Sequence, residues 1–327
     1  MGSVDEPGAP DRGDVEISVV VPTYRRPELL PRLVAALEAQ TLDLHRFEVV
    51  VVDNGSGDAT PEVLAALATG TALRVRPLTI TDNHGPAAAR NLGWQSAAAP
   101  VVAFTDDDCV PDPEWLERGL AAVLADAHLG VVQGCTRRPE GAYDYTALTV
   151  YREVLEPSPY FEGCNLFFRR AALEATGGFD ESIHFGGEDT VAGWSVLAAG
   201  WQRAFAAGAV VRHDIVERRL GWHLRMAWRE GDLLEVARRF PALRRAGFWR
   251  PWALRPLNVW FLVALVGLVL ARRRPLALVL CWPYVHRQVP DPRIPGAPAL
   301  AARRVLCDAA TFAGMKVGAV RHRQLVL

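Results

Sequence analysis

An α/β fold, built on a mostly parallel twisted sheet flanked by helices, is predicted by three features of this 327-residue chain. Short β-branched runs alternate with stretches of helical apolar spacing from Glu16 to Thr105, the pattern of successive β–α–β units. The runs are apolar almost without a break, as strands covered on both faces require. Polar motifs follow the first, second and fourth runs, at the carboxyl ends of strands where open α/β sheets bind their ligands.

The elements follow in order. Residues 1–14 are polar, rich in Gly, Pro and Asp, and carry no apolar signal region. They read as a disordered lead-in, and a cytoplasmic location is expected. Ile17 to Val21 is the first strand, ending at Pro22, and Pro27 to Gln40 is the first helix, with Leu29, Leu30, Leu33, Val34 and Leu37 on one face. Phe47 to Val52 is the second strand and Asp53 to Asp58 a loop, after which Thr60 caps a helix opening with Pro61 and Glu62. A third strand lies near Leu73 to Ile80, a helix runs from Ala87 to Ser96, and Val101 to Thr105 is the fourth strand. Residues 130–214 read as shorter strands and helices that extend the same sheet.

The tail, residues 216–327, changes character. Pro256 to Ala271 is almost wholly apolar, Arg272 to Arg274 interrupt it, and Leu276 to Val285 is apolar again. Both stretches fall short of the ~20 residues that a membrane-spanning helix needs. Two readings remain, with the first preferred: an interfacial or re-entrant hairpin, or a soluble helical subdomain. Arginines crowd this region, so contact with anionic lipid is expected, peripheral or monotopic at the inner face of the cell membrane. The net charge of -1 excludes nucleic acid as the main partner. The five cysteines are scattered, with no CxxC pair, so reduced thiols are expected rather than a disulfide framework or a zinc site.

Four places carry chemistry. Asp106-Asp107-Asp108 stands at the end of the fourth strand, where carboxylates can hold a hard divalent cation such as Mg²⁺ or Mn²⁺ together with substrate phosphates. On an extended chain Asp106 and Asp108 point to one side, one toward the metal and the other toward a ribose or a metal-bound water. The competing reading is a solvated acidic turn. Asp53 either accepts a hydrogen bond from a nucleobase ring N–H or closes an Asx turn with Asn54 and Gly55. Arg90, on a helix otherwise lined with alanine, either reaches a base or diphosphate or forms a surface ion pair. Glu188-Asp189 opens a helix; the pair either complements the helix dipole or supplies Asp189 as a general base. His213, after a short apolar strand, is a third metal ligand, a diphosphate contact or a structural histidine.

Taken together, the motifs resemble the family 2 glycosyltransferases of the GT-A fold. The resemblance covers roughly Glu16 to Asp214 and rests on Val21-Pro22-Thr23-Tyr24, Val52-Asp53-Asn54-Gly55-Ser56, Ala89-Arg90-Asn91-Leu92-Gly93, Asp106-Asp107-Asp108, Gly163-Cys164-Asn165, Gly177-Gly178-Phe179-Asp180-Glu181 and Glu188-Asp189. It implies an inverting transfer from a nucleotide diphosphate sugar to an acceptor hydroxyl, with Mn²⁺ or Mg²⁺ bound. UDP-sugars are the favoured donors, with GDP- and dTDP-sugars as alternatives. The same resemblance assigns Pro22, Thr23, Tyr24, Arg26, Asp53, Asn54, Arg90, Asp106 and Asp107 to the nucleotide sugar. Asp108 and Asp106 go to the metal, with His213 as a further candidate. Asp189 is the base beside Glu188, and Gly163, Asn165 and Trp194 lie on the acceptor side. Residues 15–110 are then the nucleotide-binding half of a catalytic domain ending at residue 215, and residues 111–215 its acceptor half.

Two departures bear on the acceptor. The Gln-x-x-Arg-Trp element of processive relatives is missing, so single addition is expected. After Asp189 the chain reads Thr190-Val191-Ala192-Gly193-Trp194 instead of the family's usual acidic residue, leucine and arginine. A nucleotidylyltransferase is excluded by the lack of a glycine-rich phosphate loop after the first strand, and a dinucleotide oxidoreductase by the lack of Gly-x-Gly-x-x-Gly. A non-catalytic relative that binds nucleotide sugar or scaffolds a membrane complex is the remaining alternative.

Overall fold

A computed structural model describes residues 15–141, 148–183, 186–250, 252–288 and 296–323; the expected lead-in lies outside them. The chain forms two compact units, one of residues 15–137 and 153–214, the other of residues 138–152 and 215 onward.

In the first unit the chain runs β1 (Ile17–Thr23), α1 (Leu30–Glu38), β2 (Phe47–Asn54), α2 (Thr60–Gly70), β3 (Val75–Ile80), α3 (Pro86–Ser96), β4 (Val101–Thr105), β5 (Cys109–Pro111), α4 (Trp115–Leu124) and β6 (Leu129–Arg137). It contributes β7 (Thr149–Val150) to the second unit, then returns as β8 (Asn165–Arg169), α5 (Arg170–Thr176), α6 (Glu188–Ala198) and β9 (Gln202–His213). Eight strands make one sheet in the order β3-β2-β1-β4-β8-β6-β9-β5. Strands β3, β2, β1 and β4 are parallel, and β6 is parallel to β9. Strand β8 runs antiparallel to both β4 and β6.

The β-branched runs are strands because both faces are covered: every residue of β2 and β4 is buried, and burying such side chains is the main driving force of folding. Leu30, Leu33, Val34 and Leu37 of α1 join Phe47, Val49 and Val51 of β2 in the core. Helix α1 begins at Leu30, three residues later than the spacing suggested, because Pro31 takes the first turn, where no backbone N–H is needed. Nor does Thr60 cap α2. Its own N–H and hydroxyl donate to Asp58 Oδ1, at 2.9 and 2.5 Å.

The register sets up the site. Thr23 lies opposite Asp53, so β1 and β2 end level with one another. The pairing of β6 with β9 shifts, Gly134 facing Ala206 but Cys135 facing Val210, a bulge that redirects the strand. The end of β9 then pairs antiparallel with β5, His213 opposite Cys109, and the ladder continues with Asp214 N–H donating to the Asp108 carbonyl at 2.9 Å.

In the second unit β7 pairs antiparallel with β10 (Val216–Glu217). Among the described residues six α-helices follow: α7 (Leu220–Arg229), α8 (Leu233–Arg239), α9 (Pro241–Gly247), α10 (Pro256–Ala271), α11 (Trp282–Gln288) and α12 (Ala297–Arg321). A 3₁₀ stretch, Pro275–Cys281, joins α10 to α11. Helix α12 reaches α7 through glycine: a Cβ on Gly314 would lie 2.1 Å from the Trp228 carbonyl oxygen. Among the described residues no helix is long and apolar enough to cross a membrane. All five cysteines are free thiols.

Candidate active site

A pocket of about 390 Å³ opens at the carboxyl ends of β1, β2 and β4, large enough for a nucleotide-sized ligand. Its wall includes Pro22, Thr23, Tyr24, Arg26, Asn54, Arg90, Asp106, Asp107, Asp108, Glu188 and His213, all singled out in the sequence, together with Asn83 and Pro86. The last two were missed, although the strand-end argument, applied to β3 as to its neighbours, leads to Asn83.

The three aspartates are not a solvated turn. Asp107 and Asp108 are buried, and each has its own partners. Thr23 Oγ1 donates to Asp107 Oδ2 at 2.8 Å. The Arg26 guanidinium stands between two carboxylates, its Nη1 lying 2.9 Å from Asp107 Oδ1 and 2.8 Å from Asp108 Oδ2. Burial nonetheless pushes the Asp107 carboxyl up to about 6, against the pull of Arg26 and Thr23. Asp106 pairs instead with Arg90, Nη2 to Oδ1 at 2.9 Å.

Arg90 joins the two acidic motifs. Its Nη1 donates to Glu188 Oε1 at 2.6 Å while Nη2 holds Asp106, and its guanidinium lies 5.7 Å from the centre of the Phe179 ring. Burial works against the charge, but Asp106, Glu188 and Asp189 outweigh it and keep the guanidinium firmly protonated. Next to this bridge, Asp189 accepts hydrogen bonds from the Gly163 N–H at 2.8 Å and the Thr190 N–H at 2.7 Å. Glycine at 163 leaves room for this pair, since a Cβ there would lie 2.9 Å from Arg90 Nη2 and 3.3 Å from Asp189 Oδ2. Burial, and then the charge of Glu188, push the Asp189 carboxyl up to about 7, although Arg90 and the two amides pull the other way.

Asp53 is buried and does close a turn: Ser56 donates to Asp53 Oδ1 from its N–H, at 3.1 Å, and from its hydroxyl. Asn54 ties the pocket rim together, donating to the Gly85 carbonyl at 2.9 Å and accepting from His84 N–H at 3.2 Å. Gly55, at φ +75°, allows this close approach, because a Cβ there would meet the Asp82 carbonyl carbon at 2.7 Å.

Other singled-out residues lie off the pocket wall. Asn165 is buried in the sheet, accepting from Trp115 Nε1 and donating to the carbonyls of Cys135 and Ala209, each at 2.9 Å. Trp194 packs edge-on against Phe161 and donates to the Pro159 carbonyl at 2.8 Å. The Gly178–Glu181 motif is fastened to α3 by Asn91, which accepts from Phe179 N–H and donates to the Phe179 carbonyl and to Glu181.

Among the described residues, Asp108 and His213 lie close enough together to share a cation. His213 Nε2 lies 3.5 Å from Asp108 Oδ1. Its Nδ1 lies 2.8 Å from the Asp214 carbonyl, which can only accept, so Nδ1 carries a proton, and in a neutral imidazole Nε2 is then the ligating nitrogen. One carboxylate and one imidazole suit Mn²⁺ or Mg²⁺ completed by phosphate oxygens. Cys109 lies in the same cluster, and its hydrogen bond with Cys164 and its burial push the thiol up.

The sequence profile described as "Glycosyl transferase family 2" matches residues 18–179, a span that contains β1 to β4 and all three aspartates. The chain belongs to glycosyl transferase family 2. This family 2 chain is 30% identical over 209 residues to "Glycosyltransferase AglE" of Haloferax volcanii, covering 61% of this chain and 65% of that one. It is 29% identical over 296 residues to "Pre-mycofactocin glycosyltransferase" of Mycobacterium tuberculosis, covering 84% and 60%. It thus spans somewhat under two thirds of the length of these curated relatives. Among solved structures it is similar to mannosyltransferase PcManGT from Pyrobaculum calidifontis, solved with GDP-Man and Mn²⁺, at a TM-score of 0.59 and 23% identity over 98% of this chain and 91% of that one. The fold is therefore the GT-A fold of these enzymes, as the motifs implied.

Proposed function

We propose that the chain is a divalent-metal-dependent glycosyltransferase that moves one sugar from a nucleotide diphosphate donor to an acceptor hydroxyl, with inversion. One observation carries the reading: Arg90 joins Asp106, at the end of β4, to Glu188, at the start of α6, so the donor motif and the base motif share a single site.

Asp108 and His213, with Asp106 alongside, would hold Mn²⁺ or Mg²⁺. An ion held there would neutralise the charge that develops on the leaving diphosphate. Arg26 and Arg90 supply fixed positive charge on the same wall. Asp53 keeps acceptor capacity beyond its bonds from Ser56, and we assign it the ring N–H of the nucleobase. Asp189 takes the proton of the acceptor hydroxyl as that oxygen attacks the anomeric carbon; the bond to the diphosphate breaks on the opposite face and its electron pair leaves with the diphosphate. A carboxyl titrating near neutrality, held by two amides, suits that role.

Calorimetry with UDP, GDP and dTDP, with and without Mn²⁺, tests the donor side on the native chain and on Asp108→Asn. Binding of one nucleotide that weakens at least roughly tenfold without the metal or without Asp108 is expected. If no nucleotide binds under any condition, the chain is a non-catalytic relative that keeps the fold alone.

A further inference from the structure

The hairpin of α10, the 3₁₀ stretch and α11 leaves an apolar surface that none of the described residues covers. Phe261, Ala264 and Gly267 of α10 recur at every third position and are buried; Phe261 packs on Tyr284 and Phe312, with ring centres 5.3 and 5.6 Å apart. Leu265, Val266, Leu268, Val269 and Leu270 of the same helix are exposed. Past the turn the surface continues, with Leu276 90%, Val279 75% and Trp282 66% exposed. Scattered exposed apolar side chains are ordinary, but a contiguous set on one hairpin marks an interaction surface.

Charge selects the occupant. Residues 256–288 contain four arginines, at 272, 273, 274 and 287, and no aspartate or glutamate. Arg272, Arg273 and Arg274 are exposed at the turn between the two arms, beside the most exposed apolar residues. A second copy of this surface would bring four positive charges against four. An anionic bilayer offers both things the surface lacks, an apolar layer and a plane of phosphates. The length of the arm sets the mode of contact. At 16 residues, α10 reaches roughly 24 Å, short of the ~30 Å hydrocarbon core, so the hairpin lies in the interface rather than across it. Trp282, with an apolar body and one N–H, suits the headgroup level.

We propose that this hairpin is a monotopic anchor for an anionic bilayer. Leu268, Val269, Leu276 and Val279 enter the acyl boundary, and Arg272, Arg273 and Arg274 bind the lipid phosphates. The test is co-sedimentation of the full chain with vesicles of phosphatidylcholine mixed with phosphatidylglycerol, compared with vesicles of phosphatidylcholine alone. The native chain is expected to pellet with the mixed vesicles and to be released by salt. Reversing the three arginines (Arg272→Glu, Arg273→Glu, Arg274→Glu) should weaken partitioning by on the order of 100-fold. The pair Leu276→Glu, Val279→Glu should weaken it as well, with an unchanged circular dichroism spectrum. The salt dependence of the native chain tests the idea even if a variant misfolds. Failure to bind either vesicle overturns the proposal, and so does binding that is equal with both and indifferent to salt. It is also overturned by a concentration-dependent dimer, seen by light scattering, that the Leu276→Glu, Val279→Glu pair abolishes.

Discussion

At the residue scale, the pH behaviour of the site rests on Asp189. Its carboxyl is pushed up to about 7 by burial and by Glu188, with Arg90 and the amides of Gly163 and Thr190 opposing. A protonated carboxyl cannot accept the hydroxyl proton, so kcat/KM should be level above neutrality and fall about tenfold per pH unit below ~7. Asp189→Asn should lower transfer by roughly 10²–10⁴-fold and leave nucleotide affinity unchanged by calorimetry. A profile level down to the ordinary carboxylate range would move the base elsewhere. Ser56 ties together the loops that follow β1 and β2: its buried hydroxyl donates to Asp53 and accepts from Arg25 N–H at 2.8 Å. Ser56→Ala strands both groups, and urea unfolding should show a loss of about 1–3 kcal/mol. The sequence offered two readings of Asp53, base contact and turn; the turn forms, closed by Ser56, a local bond that the residue types alone did not decide.

At the element scale, α3 is the part on which donor side and base side both depend, because it carries Arg90 and Asn91. Gly93 lets it lie close to the sheet: a Cβ there would come within 2.3 Å of Val20 Cγ1 and 3.3 Å of Val52 Cγ2. Gly93→Ala should therefore destabilise by about 1–3 kcal/mol through overpacking. It should also weaken nucleotide binding, since a displaced α3 moves Arg90 off both Asp106 and Glu188; unchanged binding would show that Arg90 tolerates the shift. The strands most readily read from the sequence were β1, β2 and β4, because burial on both faces demands unbroken apolar runs. Strand β5, three residues long, and the bulge opposite Cys135 left no such pattern. Strand β5 pairs across about a hundred residues, Cys109 with His213, and the bulge across about 75, Cys135 with Val210, which periodicity does not report. For the same reason His213 stayed ambiguous in the sequence and gained a partner only through that ladder.

At the scale of the whole molecule, the order of the motifs along the chain made the family legible, whereas the excursion of residues 138–152 into the second unit was not, since two-residue strands such as β7 carry no periodic signal. The apolar tail was legible as a hairpin of limited length, but which side chains it would leave uncovered depended on Tyr284 and Phe312. Saturation with the cognate nucleotide and Mn²⁺ should raise the melting temperature, by the equivalent of about 2.7 kcal/mol at a hundred times the dissociation constant. Chelation of the metal should remove most of that gain; a melting curve indifferent to chelator would rule out the metal requirement. The antiparallel rungs that set His213 opposite Cys109 and tie Asp214 to Asp108 have a further consequence. Main-chain spacing, like the jaws of a caliper, gauges how far apart the backbones carrying the carboxylate and the imidazole lie. Loops and acceptor-facing residues can therefore diverge widely between descendants of this chain without altering that span, so new specificities can arise around an unchanged grip.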